Sequence, residues 1–254
     1  PEFFTLGDGT RIGMLAYSSI LPQAYWADER RPGCAPMRAF THYEQIEHDQ
    51  PGTPARIRTW PHQGDLAAMQ DDVRKAKEQA DLVFVSHHWG IHFVRATIAD
   101  YQREMARATI EAGADAILGT HAHVLKGCEM IDGKPVFYSL SNFACDLRMD
   151  EAHAKSKSWN EIRVLAEEWE PDFEGLFNLP TESRKNMVAR LEIAGGKLLR
   201  AGFLPVTIGR DAVPHFAPPG SAEHGEIVEY MAAVTQEAGL NARYTVEDDM
   251  VVVS

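Results

Sequence analysis

The sequence predicts an α/β fold in which mixed sheets are flanked by helices. Three observations carry that expectation. Apolar runs at residues 81–85 and 114–118 read as buried strands. Two amphipathic helical stripes alternate with them, and two turn-marked hairpins follow. A strand–helix–strand–helix–strand order implies parallel pairing with right-handed crossovers.

Taken in order, residues 10–18 (TRIGMLAYS) form the first expected strand. Residues 21–53 are polar, rich in Pro and Gly and without a period, so they read as a long loop. A short alternating strand is expected at 55–60. Asp65 then serves as an N-cap for a helix whose apolar face is Leu66, Met69, Val73 and Ala76. After the strand at 81–87, Ile98, Tyr101, Met105, Ala108 and Ala112 mark a second helix, closed by Gly113.

The pattern then changes. Segments 125–131 and 135–140 flank Asp132-Gly133, a strong hairpin signal, and 187–193 and 197–205 flank Gly195-Gly196 in the same way. Residues 145–186 are charged, Trp-bearing and weakly patterned, and read as an excursion with some helix. An amphipathic helix at 226–238 ends at Gly239, and 244–253 reads as a closing strand.

The 254 residues suit a single domain spanning 1–254. A net charge of −12 argues against nucleic acid as a partner, because phosphate contacts need clustered Lys and Arg. No stretch approaches the roughly 18–20 apolar residues that span a bilayer, and no secretory signal is visible. Three cysteines without CxxC spacing favour a reducing compartment. The expectation is a cytoplasmic chain without membrane contact that acts on a small molecule or a polymer.

Function is written in the histidines. Five of the eleven lie within residues 87–123, in the groups Ser86-His87-His88-Trp89-Gly90-Ile91-His92 and Gly119-Thr120-His121-Ala122-His123. Each group follows an expected parallel strand, where ligands of open α/β sheets gather. Neutral imidazole binds first-row metals, so His88, His121 and His123 are the candidate metal ligands. His87 and His92 stand beside them as site candidates. Two ions a few ångströms apart would also need a carboxylate, which this reading does not identify. Asn142, at the end of Tyr138-Ser139-Leu140-Ser141-Asn142-Phe143, either takes a left-handed turn or reaches the site to bind substrate or orient a histidine. Glu129 is either a carboxylate behind a ligating imidazole or a solvated residue.

These pieces resemble the CapA-type poly-γ-glutamate capsule synthesis proteins of the calcineurin-like metallophosphoesterase superfamily. The resemblance rests on His88-Trp89-Gly90, Ala112-Gly113-Ala114-Asp115, Gly119-Thr120-His121-Ala122-His123-Val124, Glu129 and Tyr138–Phe143 in this order. It implies a metallophosphoesterase-like sandwich of mixed sheets flanked by helices. By the same comparison His88, His121 and His123 are metal ligands; the expected function adds a divalent transition metal (Zn, Mn or Fe) in two ions, His92 as a catalytic residue, and Asn142 and His87 as substrate-binding residues.

Two departures stand out: Ser141 replaces the family's usual Gly, and Thr120 stands where many relatives carry a second His. The superfamily's early Asp, Gly-Asp and Asn-His motifs have no matching context, since Gly7-Asp8 precedes a strand and Gly64-Asp65 opens a helix. The chain therefore resembles the C-terminal two-thirds of such a protein, with a further N-terminal segment as the implied partner. A metal-dependent hydrolase of a phosphoester or a γ-glutamyl-type amide is the first expectation. A non-catalytic assembly or binding component of capsule polymer synthesis and export is the second, and a purely structural metal clip the third.

Overall fold

The structure, a computed structural model, describes residues 1–166 and 168–254. In chain order the first elements are β1 (Glu2–Thr5), β2 (Arg11–Ser18), β3 (Ala39–Glu44), β4 (Arg56–Pro61), α1 (Gln63–Lys77), β5 (Leu82–His88) and α2 (Asp100–Glu111). They are followed by β6 (Ala116–Thr120), β7 (Leu125–Ile131), β8 (Lys134–Leu140), α3 (Glu151–Ala154) and α4 (Lys157–Ile162). The remainder comprises β9 (Lys185–Ala194), β10 (Lys197–Ile208), β11 (Pro214–Phe216), α5 (Ala222–Glu237), β12 (Tyr244–Glu247) and β13 (Met250–Val253).

The first sheet has the order β1-β2-β5-β6-β8-β7. Its centre is parallel, as the strand–helix alternation predicts, and its edges β1 and β7 pair antiparallel. Leu82 through Val85 of β5 are all buried because both faces of the strand are covered. On one side lie Leu66, Met69 and Val73 of α1 with Tyr101 and Met105 of α2. Full burial of each such side chain contributes roughly 1.5–3 kcal/mol. On the other side β9 and β10 of the second sheet bring Leu191, Ile193 and Leu198 against Ile12, Leu82 and Phe84. Farther along the same interlayer, Leu125, Cys128 and Phe137 meet Phe203, Val251 and the Ile227, Met231 and Val234 face of α5. The architecture is thus an α/β sandwich of mixed sheets flanked by helices.

Several boundaries differ from expectation. The loop expected at 21–53 contains β3, which pairs antiparallel with β4 from Ala39↔Pro61 to Glu44↔Arg56. Its residues are exposed or half-buried throughout, so it carries no alternating apolar signal. Asp65 does not cap α1. The His62 ring takes the Asp65 backbone N–H at 3.1 Å, while the Asp65 carboxylate grips Arg38 (Nε–Oδ2 2.7 Å). The expected closing strand is the hairpin β12–β13, turned at Asp248, whose φ of +54° breaks the extended run. β1 was not expected.

The parallel register has one consequence above all. Ser18 pairs with His88, and His88 with Thr120, so the carboxyl ends of three strands finish in one row. Beside them, β6 and β8 pair only at Ile117↔Val136 and Leu118↔Phe137. There the buried Trp89 indole takes over, its Nε1–H donating to the Tyr138 carbonyl at 3.0 Å. Gly119 is required at this point. A Cβ on it would meet the carbonyl oxygens of Phe137 and Tyr138 and lie 2.6 Å from Trp89 Nε1. Gly119→Ala is therefore expected to lower stability by about 3 kcal/mol or more, since overpacking against backbone cannot relax locally. Thermal unfolding should show it as a Tm loss of about 6–12 °C.

His87 gives a second expectation. It is 1% exposed, stacked on Trp89 with ring centroids 4.5 Å apart, and burial pushes its imidazole down to about 3. Below pH 6.5 the unfolded chain binds a proton that folded His87 refuses. Stability must then fall with falling pH, by roughly 1.4 kcal/mol per pH unit for this one group. His87→Phe should flatten the pH dependence of the denaturation free energy between pH 6 and 4 by about that slope.

Candidate functional site

The loops at the carboxyl row are built from unusual backbone. Phe93 (φ +58°), His121 (+91°), His123 (+55°) and Ser141 (+64°) all occupy the left-handed region. Such conformations cost non-glycine residues free energy and persist only where surrounding contacts over-determine them. Those contacts are present. Trp89 N donates to Thr120 O at 3.2 Å, Phe93 N to Ala122 O at 2.9 Å, and Ser19 N to His88 O at 2.9 Å. Lys126, only 2% exposed, reaches up from β7 and donates to the carbonyls of Val94 and Thr97, tying down the loop that carries His92.

This framework brings the imidazoles of His88, His92, His121 and His123 together. His88 Nε2 and His121 Nδ1 are 3.2 Å apart. The His92 ring lies 3.9 Å from His121 and 5.3 Å from His123, centroid to centroid. Burial, followed by repulsion among the neighbouring imidazoles, holds His121 down at about 3. The same causes hold His92 at about 4, and His88 is also lowered. All three are therefore neutral at pH 7, each with one lone-pair nitrogen.

His123 is oriented by Asn142. Its Nδ1 donates to Asn142 Oδ1 at 2.6 Å, while Asn142 Nδ2 donates to His123 O at 3.3 Å and Ser141 Oγ at 3.2 Å. The Asn142 backbone N–H is in turn held by Asn186 Oδ1 at 2.6 Å. This network fixes the His123 tautomer and leaves Nε2 as its lone-pair atom.

The donor chemistry suits a borderline metal ion. Nitrogens bound at about 2.0–2.1 Å to a tetrahedral ion stand about 3.3–3.4 Å apart, close to the His88–His121 separation. The donor count is short, however. Among the described residues no group of three or more His, Cys, Asp or Glu side chains is arranged to hold a metal ion. The nearby-in-sequence carboxylates are committed elsewhere. Asp8 accepts from Thr10 N and Gly195 N, Asp65 binds Arg38, and Glu129 takes the Tyr138 hydroxyl at 2.7 Å with Arg107 beyond. Glu129 thus serves the core and not an imidazole.

A match over residues 1–147 decides the affiliation, because that range contains both histidine groups and Asn142. The chain belongs to the bacterial capsule synthesis protein PGA_cap family. It is 46% identical over 74 residues to the "PGA biosynthesis protein CapA" of Bacillus subtilis (strain 168), covering 29% of this chain and 19% of that protein. The "Capsule biosynthesis protein CapA" of Bacillus anthracis is 37% identical over 98 residues, covering 35% and 24%. A "Probable polyglutamine synthesis accessory protein" of Mycobacterium tuberculosis (strain ATCC 25618 / H37Rv) is 28% identical over 168 residues, covering 63% and 37%. The chain spans about a fifth to two fifths of the length of these curated relatives.

Within this PGA_cap chain the six sequence candidates separate. His88 and His121 meet directly, His92 lies against His121, and His123 joins through His92 and Asn142. His87 does not join them. Adjacent residues of a strand face opposite sides, so His87 points under the sheet toward α2, its Nε2 3.3 Å from Thr109 Oγ1. Its expected contact with substrate is corrected to a core position; strand alternation was the signal. Asn142 reaches the cluster, where its carboxamide is engaged by His123 and Ser141.

Two cavities flank the cluster. One of about 850 Å³ is lined by His88, Ser86, Ser18 and Tyr17, and one of about 280 Å³ by His92, Phe93 and His123. The walls of the second come from 147–179, where the sequence signalled only an excursion.

Ser141 offers a direct test of the backbone strain. Ser141→Gly removes a left-handed penalty of about 1–2 kcal/mol, partly offset by about 0.5–1 kcal/mol of added chain entropy. Losing the Asn142 Nδ2–Ser141 Oγ hydrogen bond offsets a further amount of about 0.5–1.5 kcal/mol, so Ser141→Gly is expected to shift the Tm by no more than about 2 °C in either direction.

Proposed function

We propose that this chain carries part of the reaction centre of a metal-dependent hydrolase of the CapA type. The observation that carries the reading is the convergence of four imidazoles at the carboxyl row, with His88 and His121 one ligand edge apart. His88, His121 and His123 would hold a divalent transition metal, Zn, Mn or Fe, as a pair of ions once carboxylates are supplied. When bound, such ions polarise a phosphoryl or carbonyl oxygen and lower the pKa of water.

The chain's own residues supply the rest. Asn142 presents the His123 Nε2 lone pair by keeping its proton on Nδ1. His92, neutral above pH of about 4, accepts a proton or a hydrogen bond beside the reacting atoms. The proposed substrate is a phosphoester, or an amide such as a γ-glutamyl bond. The missing carboxylates would come from a further polypeptide segment.

A second reading is favoured by one observation: the described residues contain no carboxylate in the cluster. On that reading the chain is a binding or assembly component of capsule polymer synthesis and export, without turnover.

Elemental analysis and hydrolysis of bis(4-nitrophenyl) phosphate and γ-glutamyl-4-nitroanilide separate the two. The measurement uses the chain together with any flanking segments its gene encodes. Bound Zn, Mn or Fe and chelator-sensitive turnover, both lost in His121→Ala, are expected. A metal-free, inactive protein would leave the assembly reading standing alone.

The pH dependence of metal retention is a further check. Protons compete for imidazole only near its pKa; burial and the neighbouring imidazoles hold the ligand His121 at about 3, and burial also lowers His88. These two ligands should therefore keep a bound metal on lowering the pH through 6.5 and yield it to protons only well below, in equilibrium dialysis at fixed free Zn.

A further inference from the structure

Thr120, the last residue of β6, carries a hydroxyl that the hydrolase reading leaves without a task. Parallel pairing sets Thr120 opposite His88, so the two side chains stand next to each other on one face of the sheet, while His87 and Gly119 are paired on the other. The Trp89 backbone N–H holds the Thr120 carbonyl at 3.2 Å. A β-branched side chain has few χ1 choices, so the position of Oγ1 is narrowly set.

That oxygen lies 3.4 Å from the His87 carbonyl and 3.3 Å from His88 Nδ1. A carbonyl only accepts, so the hydroxyl proton goes to His87 O and the Oγ1 lone pairs are left for a donor. His88 Nδ1 meets them as an N–H. The single proton of neutral His88 is then on Nδ1, and Nε2, 3.2 Å from His121 Nδ1, is the lone-pair atom. In this arrangement His121 Nδ1 donates to His88 Nε2, and all three contacts are used. The reverse arrangement, with the hydroxyl donating to His88 Nδ1 and His88 Nε2 donating to His121, gives up the contact to His87 O and makes one bond fewer.

We propose that Thr120 is the positioning residue for His88: its hydroxyl keeps the imidazole proton on Nδ1 and presents the Nε2 lone pair to the His121 edge, where a metal ion would be held. The inference rests on the hydrolase reading of that edge. It gives His88 a partner of the kind that Asn142 is for His123.

The test uses the chain with any flanking segments its gene encodes, labelled with ¹⁵N in histidine, at about pH 8 where imidazole is neutral. Long-range ¹H–¹⁵N correlations tell a protonated ring nitrogen from a lone-pair one, and the His88 signals are assigned by their loss in His88→Gln. Before Zn is added, the wild-type protein is expected to show the His88 proton on Nδ1. Thr120→Val keeps the branched shape without the hydroxyl and should move that proton to Nε2, the site an unconstrained imidazole side chain prefers. Zn affinity, read by equilibrium dialysis, should fall about tenfold with it. Thr120→Ser should keep both the tautomer and the affinity near wild type.

A His88 proton on Nε2 in the wild-type protein overturns the proposal, and that spectrum decides it even if the Val variant fails to fold. A Val variant that keeps the Nδ1 proton, or binds Zn as tightly as wild type, also overturns it, since Thr120 then only packs. Wild-type protein that binds no Zn, with an Nδ1 proton that Thr120→Val displaces, instead overturns the hydrolase reading and leaves Thr120 as the residue that sets the His88 tautomer.

Discussion

The hydrogen bond from the Trp89 indole to the Tyr138 carbonyl governs how the molecule ends its central sheet. It replaces the next rung between β6 and β8, and it can form only because Gly119 has no side chain. From that point the two strands part. Residues 121–124 and 141–142 then turn away with their own conformations, no longer bound to a ladder. Everything at the carboxyl row follows from this parting, because it creates room for His121, His123 and Asn142 to face one another.

That room is occupied by backbone no unconstrained chain would adopt. Left-handed φ values at Phe93, His121, His123 and Ser141 are held by cross-loop hydrogen bonds, by buried Lys126 beneath, and by the Trp159–Trp169 layer alongside. His92 and His121 are crowded and desolvated as a result, so repulsion among their neighbours is avoided by staying neutral. Strain and neutrality have the same origin. Both are properties of an imidazole cluster held by its own loops.

The central βαβ frame was legible because burial on both faces leaves continuous apolar runs and 3.6-residue stripes. Hairpins at Asp132-Gly133 and Gly195-Gly196 were legible because positive φ values at those residues demand that chemistry. β3 was not legible, since an exposed ribbon has no reason to alternate. His88, His121 and His123 could be ranked from their place at strand ends. His87 was misplaced because proximity in sequence was weighed above the alternation of a strand. Asn142 was placed at the site, but only its hydrogen bonds reveal that its carboxamide serves His123.

By itself the sequence determined the α/β class, the family and the grouping of histidines at strand ends, since these depend on local pattern and short motifs. Tertiary structure alone decided which imidazoles meet, which carboxylates are committed elsewhere and what lines the neighbouring cavity. Those outcomes depend on long-range register: Ser18, His88 and Thr120 align only when β2, β5 and β6 pair, and Trp169 reaches Phe93 only when residues 145–186 fold back over the row. A linear pattern records which groups a chain carries. Pairing across tens of residues settles what each group faces.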